Sequence, residues 1–210
     1  MTKKHTIFYT LLLASSFGGF VTSYFPGVIG HDLGFWISDL IATLSYFTII
    51  SNLAVSALAV SQLFYAQTKI GLWFSRMSVQ TAIAVYISIT GLVYHWLLAD
   101  TWNPQGIDLF SDELLHTVTP ILYALFWWFC VRGKHYNLQR TLAVLVVPAL
   151  FLVYWLIRGP IVGTYPYFFI DVSQYGYTAV FINSLGLCFA FWVVGVFYWA
   201  LSRFTTPLYV

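Results

Sequence analysis

Two short tracts hold the residue types that acid–base and nucleophilic chemistry need. The first is Ser111-Asp112-Glu113-Leu114-Leu115-His116-Thr117-Val118-Thr119-Pro120. On a helix, Asp112 and Glu113 stand four and three residues before His116, so either carboxylate can hold a ring N–H, fix the tautomer and raise the imidazole's pKa. A hydrolytic triad orients its base in this way. Pro120 has no N–H for the carbonyl of His116, so the helix should bend at the histidine. Ser111 is placed to cap the helix start, where Asp112 and Glu113 suit the positive end of its dipole. An acidic helix start at a water interface, with a histidine that merely fits there, accounts for the same residues, and helix geometry alone does not separate the two readings.

The second tract is a stripe, Ser45, Thr48, Asn52 and Ser56, at spacings of three and four on an otherwise apolar helix. Serine and threonine in such stripes commonly bond back to the preceding turn or let helices approach closely, and Thr48 alone reads that way. Asn52 asks for more, because an amide has more donors and acceptors than the local backbone can satisfy. A third stripe, Thr81, Ala84, Ser88, Gly91 and His95, reads as a packing seam that ends in an interfacial histidine. Further along, Arg158 to Asp171 holds two prolines, two glycines and aromatics including Tyr165, the makings of a stiff cap. Arg158 should pair with Asp171 or a neighbouring acid, or bind a carboxylate or phosphate head group. Asn183 completes the polar set, with Pro148 expected as a kink and Gly186 as a close-packing point.

The elements that must position these residues are membrane helices. Of 210 residues, 60% are hydrophobic and 8% charged, too little charge to cover a soluble domain of this size. Six apolar stretches, approximately 6–25, 40–66, 77–99, 114–131, 141–157 and 177–201, reach or nearly reach the ~17 to 25 residues that cross a bilayer. An all-α bundle of six transmembrane helices follows, a single domain with no room for a soluble one. Lys3, Lys4, Lys69, Arg76, Arg132, Lys134, Arg140 and Arg203 fall on one side. That side is then cytoplasmic and holds both termini, which fits a plasma membrane if the source is bacterial. All seven acidic residues fall on the other, with Arg158 as its only cation. The first stretch resembles a signal peptide, but it runs to Phe25 and stops at Pro26-Gly27, longer than the ~7 to 15 residues of a typical apolar core, so it is expected to stay.

Several function classes lose ground on these residues. Cys130 and Cys188 both lie inside apolar stretches, and two isolated thiols make no metal site. No cofactor is called for, although His95 and His116 keep a haem or quinone protein in view. Scattered inner cations do not make a nucleic-acid surface. A lipid or small-anion binding protein, or a transporter, would use the same polar cavity, yet no inverted repeat is visible.

The tracts Leu44-Ser45-Tyr46-Phe47-Thr48-Ile49-Ile50, Leu115-His116-Thr117 and Gly163-Thr164-Tyr165-Pro166-Tyr167, set in a six-helix plan, resemble the androgen-induced gene family of integral-membrane proteins, and its bacterial relatives most. Characterised animal members hydrolyse fatty acid esters of hydroxy fatty acids. The resemblance implies a threonine nucleophile at Thr48, activated by His116 and attacking a lipid ester within the membrane, near the outer leaflet. Asp112 is then a candidate orienter, and Asn52, Arg158 or His95 are candidate oxyanion donors. One distance stands against the pair. Thr48 is nine residues past Asp39, about 13 Å down a straight helix, whereas His116 is only about 5 Å past Glu113.

Overall fold

A computed structural model describes residues 2–132 and 137–203; Lys134, one of the inner cations expected above, lies outside them. All regular structure among the described residues is helical. Six helical spans are long and apolar enough to cross a membrane: Lys3–Val28, Phe47–Phe64, Met77–Thr101, Ile107–Val131, Leu138–Val162 and Val172–Arg203. The first is α1. A short α2 (Leu33–Thr43) precedes α3 (Phe47–Phe64), and α4 (Lys69–Phe74) precedes α5 (Met77–Val93). The third span extends α5 through a π turn, Tyr94–Leu98, and a 3-10 turn, Ala99–Thr101. The fourth is α6 (Ile107–Glu113), a π turn at Leu114–Val118, α7 (Thr119–Phe126) and a second π turn at Trp127–Val131. A 3-10 stretch, Leu138–Leu145, leads into α8 (Val146–Val162), and α9 (Val172–Arg203) closes the chain, interrupted at Gly176 with φ 72°.

The second expected segment, 40–66, divides in two, and this division positions the site. Residues 44–46 leave the helix, with Asp32 capping α2 through a 2.9 Å bond from the Phe35 amide. The carbonyl of Ser45 accepts the Trp155 indole N–H at 2.8 Å, and the Ser45 hydroxyl meets the Tyr154 hydroxyl at 2.7 Å. Ser45 therefore belongs to a break pinned by α8, and the inward stripe of α3 begins at Thr48. Other boundaries move too. Pro26 sits within α1, and the fourth span starts at Ile107, so Ser111 bonds back to the Asp108 carbonyl at 3.0 Å and caps nothing. α8 runs past Arg158 to Val162, and Pro148 lies in its first turn, after the 3-10 stretch, and kinks no continuous helix.

The second and third spans are 56% and 50% buried, against 17% and 22% for the fifth and sixth, so α3 and α5 are the centre. Leu12, Val55, Leu58, Val85, Tyr123, Phe126 and Trp127 pack there. Hydroxyls tie the spans together: Ser16 to Ser56 at 2.7 Å, Ser51 to Thr90 at 2.8 Å, Thr119 to Ser15 at 3.0 Å and Ser88 to Tyr198 at 2.9 Å. Each satisfies a polar group that would otherwise be costly inside an apolar bundle. The outward faces of α8 and α9 carry exposed Leu150, Ile157, Phe181, Leu185 and Phe189.

Candidate active site

Thr48 stands at the second position of α3, half-buried, with its hydroxyl 3.2 Å from Nε2 of His116. The distance objection disappears because α3 starts at Phe47 and not at residue 40. Both residues then lie near the same end of the bundle.

His116 lies in the π turn of the fourth span, and Pro120 explains that turn. In a π turn each N–H reaches back five residues, and Thr119 N–H closes on the carbonyl of Leu114. The carbonyl of Leu115 would need the N–H of residue 120, which proline lacks. The orphan is thus Leu115, one residue before the expected His116, and Asn52 Nδ2 supplies its donor at 3.1 Å. The same amide donates to the Thr48 carbonyl at 2.9 Å. Asn52, fully buried, is therefore a clamp between the two helices that carry Thr48 and His116. Its Oδ1 has no partner among the described residues. Gly91 completes the fit: a Cβ there would stand 3.0 Å from the His116 carbonyl oxygen and 3.1 Å from Pro120. Gly186, by contrast, has nothing within 4 Å of such a Cβ, so it is not a packing point.

The imidazole's tautomer follows from its surroundings. Nδ1 lies 3.1 Å from the Asp112 backbone carbonyl, in hydrogen-bond geometry, and 3.0 Å from Asp112 Oδ1. Both neighbours accept only, so Nδ1 carries the proton and Nε2 turns a lone pair to the Thr48 hydroxyl. The carboxylate oxygen is close but off the N–H axis, so its contribution is charge more than a directed bond. Asp112 is 4% exposed while Glu113 is exposed, which decides between the two acids. Tyr94, which sequence reasoning passed over, donates its hydroxyl to Asp112 Oδ2 at 2.5 Å and stacks on His116 with ring centroids 3.8 Å apart. Trp102 Nε1 donates to the Tyr94 oxygen at 3.2 Å. The Tyr94-His95 pair at the end of α5 was the available signal, but only packing tells which ring turns inward.

Two cavities flank the pair, one lined by Thr48 and the other by His116. One, about 80 Å³, is lined by Thr48 with Phe47, Phe151, Tyr167 and Phe191 and is overwhelmingly apolar. The other is a groove of about 570 Å³ between the third, fourth and sixth spans, lined by His116, His95, Trp96, Thr117 and Phe197. Tyr167, also missed from sequence, accepts a hydrogen bond from the Thr48 amide at 3.4 Å.

The other expected residues lie elsewhere. His95 is exposed in the groove, with Nε2 3.0 Å from the Thr117 hydroxyl, and does not line the cavity of Thr48. Arg158 stacks over Tyr154 and Trp155, 5.9 and 5.6 Å from their rings, and makes no ion pair with any described carboxylate. Asp171 instead caps α9, accepting from the Ser173 amide at 2.9 Å and the Ser173 hydroxyl at 2.5 Å, and from Gln174 Nε2 at 2.9 Å. Burial opposes its charge, but these bonds outweigh that and hold its carboxyl below the ordinary value. Asn183 donates to the Phe169 carbonyl at 2.9 Å and Tyr165 packs against Gly159, so both anchor the loop that carries Tyr167. Among the described residues, no three His, Cys, Asp or Glu gather at metal-binding range.

Compared with protein-family models, curated proteins and solved structures, the chain matches none.

Proposed function

We propose that this chain is a six-span membrane protein, both termini cytoplasmic, that hydrolyses lipid esters with Thr48 as nucleophile and His116 as base. The observation that carries the reading is the 3.2 Å contact between the Thr48 hydroxyl and Nε2 of His116, with Nδ1 facing acceptors alone. A threonine hydroxyl is a weak nucleophile until a positioned base takes its proton. The apolar outward faces support membrane residence, and the distribution of Lys and Arg supports the orientation. Resemblance to the androgen-induced gene family supports the same pair.

Thr48 Oγ1 attacks the ester carbonyl carbon as its proton passes to His116 Nε2, and the carbonyl π electrons move onto oxygen. Collapse breaks the bond to the alkoxy oxygen, which takes the proton from Nε2, leaving an acyl-threonine. Water, deprotonated by the same nitrogen, then releases the carboxylic acid and restores Thr48. The ester carbonyl and the carbons next to it face the small aromatic cavity beyond Thr48, while the alcohol leaves past His116 into the groove, which gives lateral access from lipid. The membrane-embedded setting limits competing water.

Turnover of a panel of long-chain esters, with labelling by a fluorophosphonate, tests the reading on detergent-purified wild type, Thr48→Ala and His116→Ala. Loss of both signals in folded variants supports it. A wild type that binds these lipids without cleaving them, or cleavage indifferent to both changes, replaces it with lipid binding or transport.

A further inference from the structure

The proposed reaction puts negative charge on the ester carbonyl oxygen, and the three residues expected to meet that charge are committed elsewhere. Both N–H groups of Asn52 bond carbonyls, His95 faces the groove, and Arg158 stacks over aromatic rings. A different hydroxyl lies beside the nucleophile. We infer that Tyr167 is the oxyanion donor of this site, its phenolic O–H bonding the ester carbonyl oxygen as Thr48 attacks; the inference rests on the Thr48–His116 reading.

Three observations support it. The Tyr167 oxygen is 3.4 Å from the Thr48 amide nitrogen, which places a phenol beside the residue that attacks the carbonyl. The residue lines the same apolar cavity as Thr48. Its ring is held in place, stacked on Phe169 with centroids 5.2 Å apart and edge-on to Tyr46 at 6.2 Å, so little reorganisation is needed. The bond it accepts is also useful. Thr48 N–H is one of the first amides of α3, without an intrahelical acceptor, and its donation into the phenol oxygen polarises the phenol O–H. Burial raises the phenol's pKa, so it remains a donor throughout the physiological range. The phenol keeps its proton throughout: it hydrogen-bonds the oxyanion and releases it on collapse.

Ester turnover by Tyr167→Phe tests this, beside wild type, Thr48→Ala, and Tyr46→Phe as a neighbouring control. The expected result is a fall in kcat of about 10²- to 10³-fold with KM within about threefold, while Tyr46→Phe stays near wild type. Full kcat in Tyr167→Phe, with Thr48→Ala inactive, overturns the role of Tyr167 and leaves the dyad standing. A wild type without turnover removes both. Should Tyr167→Phe fail to fold, fluorotyrosines of graded acidity at position 167 decide: kcat that follows phenol acidity supports the inference, and kcat indifferent to it ends it.

Discussion

Thr48 and His116, 68 residues apart in sequence, share a 3.2 Å hydrogen bond because one starts a helix and the other occupies a π turn. Thr48→Ser keeps that contact, and Thr48→Ala or His116→Ala removes it. If the proposed reaction holds, ester turnover should survive the first and fall by at least about 10³-fold in the other two, because a nucleophile and its base act as one unit. Single-turnover assays with acyl-enzyme trapping would check this, a trapped ester in the Thr48→Ser variant and none in the other two being the expected pattern.

Asp112→Asn should slow turnover by only about 10- to 100-fold, less than removal of the base. The Asp112 backbone carbonyl at 3.1 Å still selects the Nδ1–H tautomer, so what is lost is the carboxylate's charge and its grip on Tyr94. Single-turnover rates of Asp112→Asn and His116→Ala measured side by side separate the two effects. A rate in Asp112→Asn equal to that of the wild type would mean that Asp112 does not act on His116.

Asn52→Ala deprives the buried Leu115 carbonyl of its donor, which should cost about 1 to 3 kcal/mol of stability. Thermal unfolding in detergent measures that cost. Turnover should fall with it, because the same amide ties the helix of Thr48 to that of His116.

Two glycine changes should behave oppositely. Gly91→Ala forces a Cβ to 3.0 Å from the His116 carbonyl, so it should lower the melting temperature and weaken activity through overpacking of about 1 to 3 kcal/mol. Gly186→Ala meets nothing within 4 Å and replaces a poor helix former, so it should be neutral or gain up to about 1 kcal/mol. Melting curves of the pair side by side check both.

Asp171 gives the acid-side pH dependence a definite sign. Its folded pKa lies below the ordinary 3.8, so its contribution is fully present above that value and is lost as pH falls through the lower folded pKa. Asp171→Asn should flatten the decline in stability below about pH 4, measured by unfolding between pH 2 and 6. An unchanged slope would assign that decline to other carboxylates.

The spans were legible in the chain because burial in lipid demands long apolar runs, and six such helices are present. His116 and Asp112 stood out as well, since polar side chains are costly in such runs and spacing on one helix is local information, whereas Thr48 by itself read as a packing residue and was singled out only by the family resemblance. What tertiary structure decided is where α3 begins. The break at 44–46 depends on Trp155 reaching the Ser45 carbonyl across 110 residues, a contact that helical periodicity cannot register. The same limit hid Tyr167, delivered by a loop 119 residues from Thr48, and Tyr94, whose inward turn depends on the packing of the third span against the fourth. Composition and periodicity record how each helix meets its surroundings; which hydroxyl meets which imidazole depends on packing between helices.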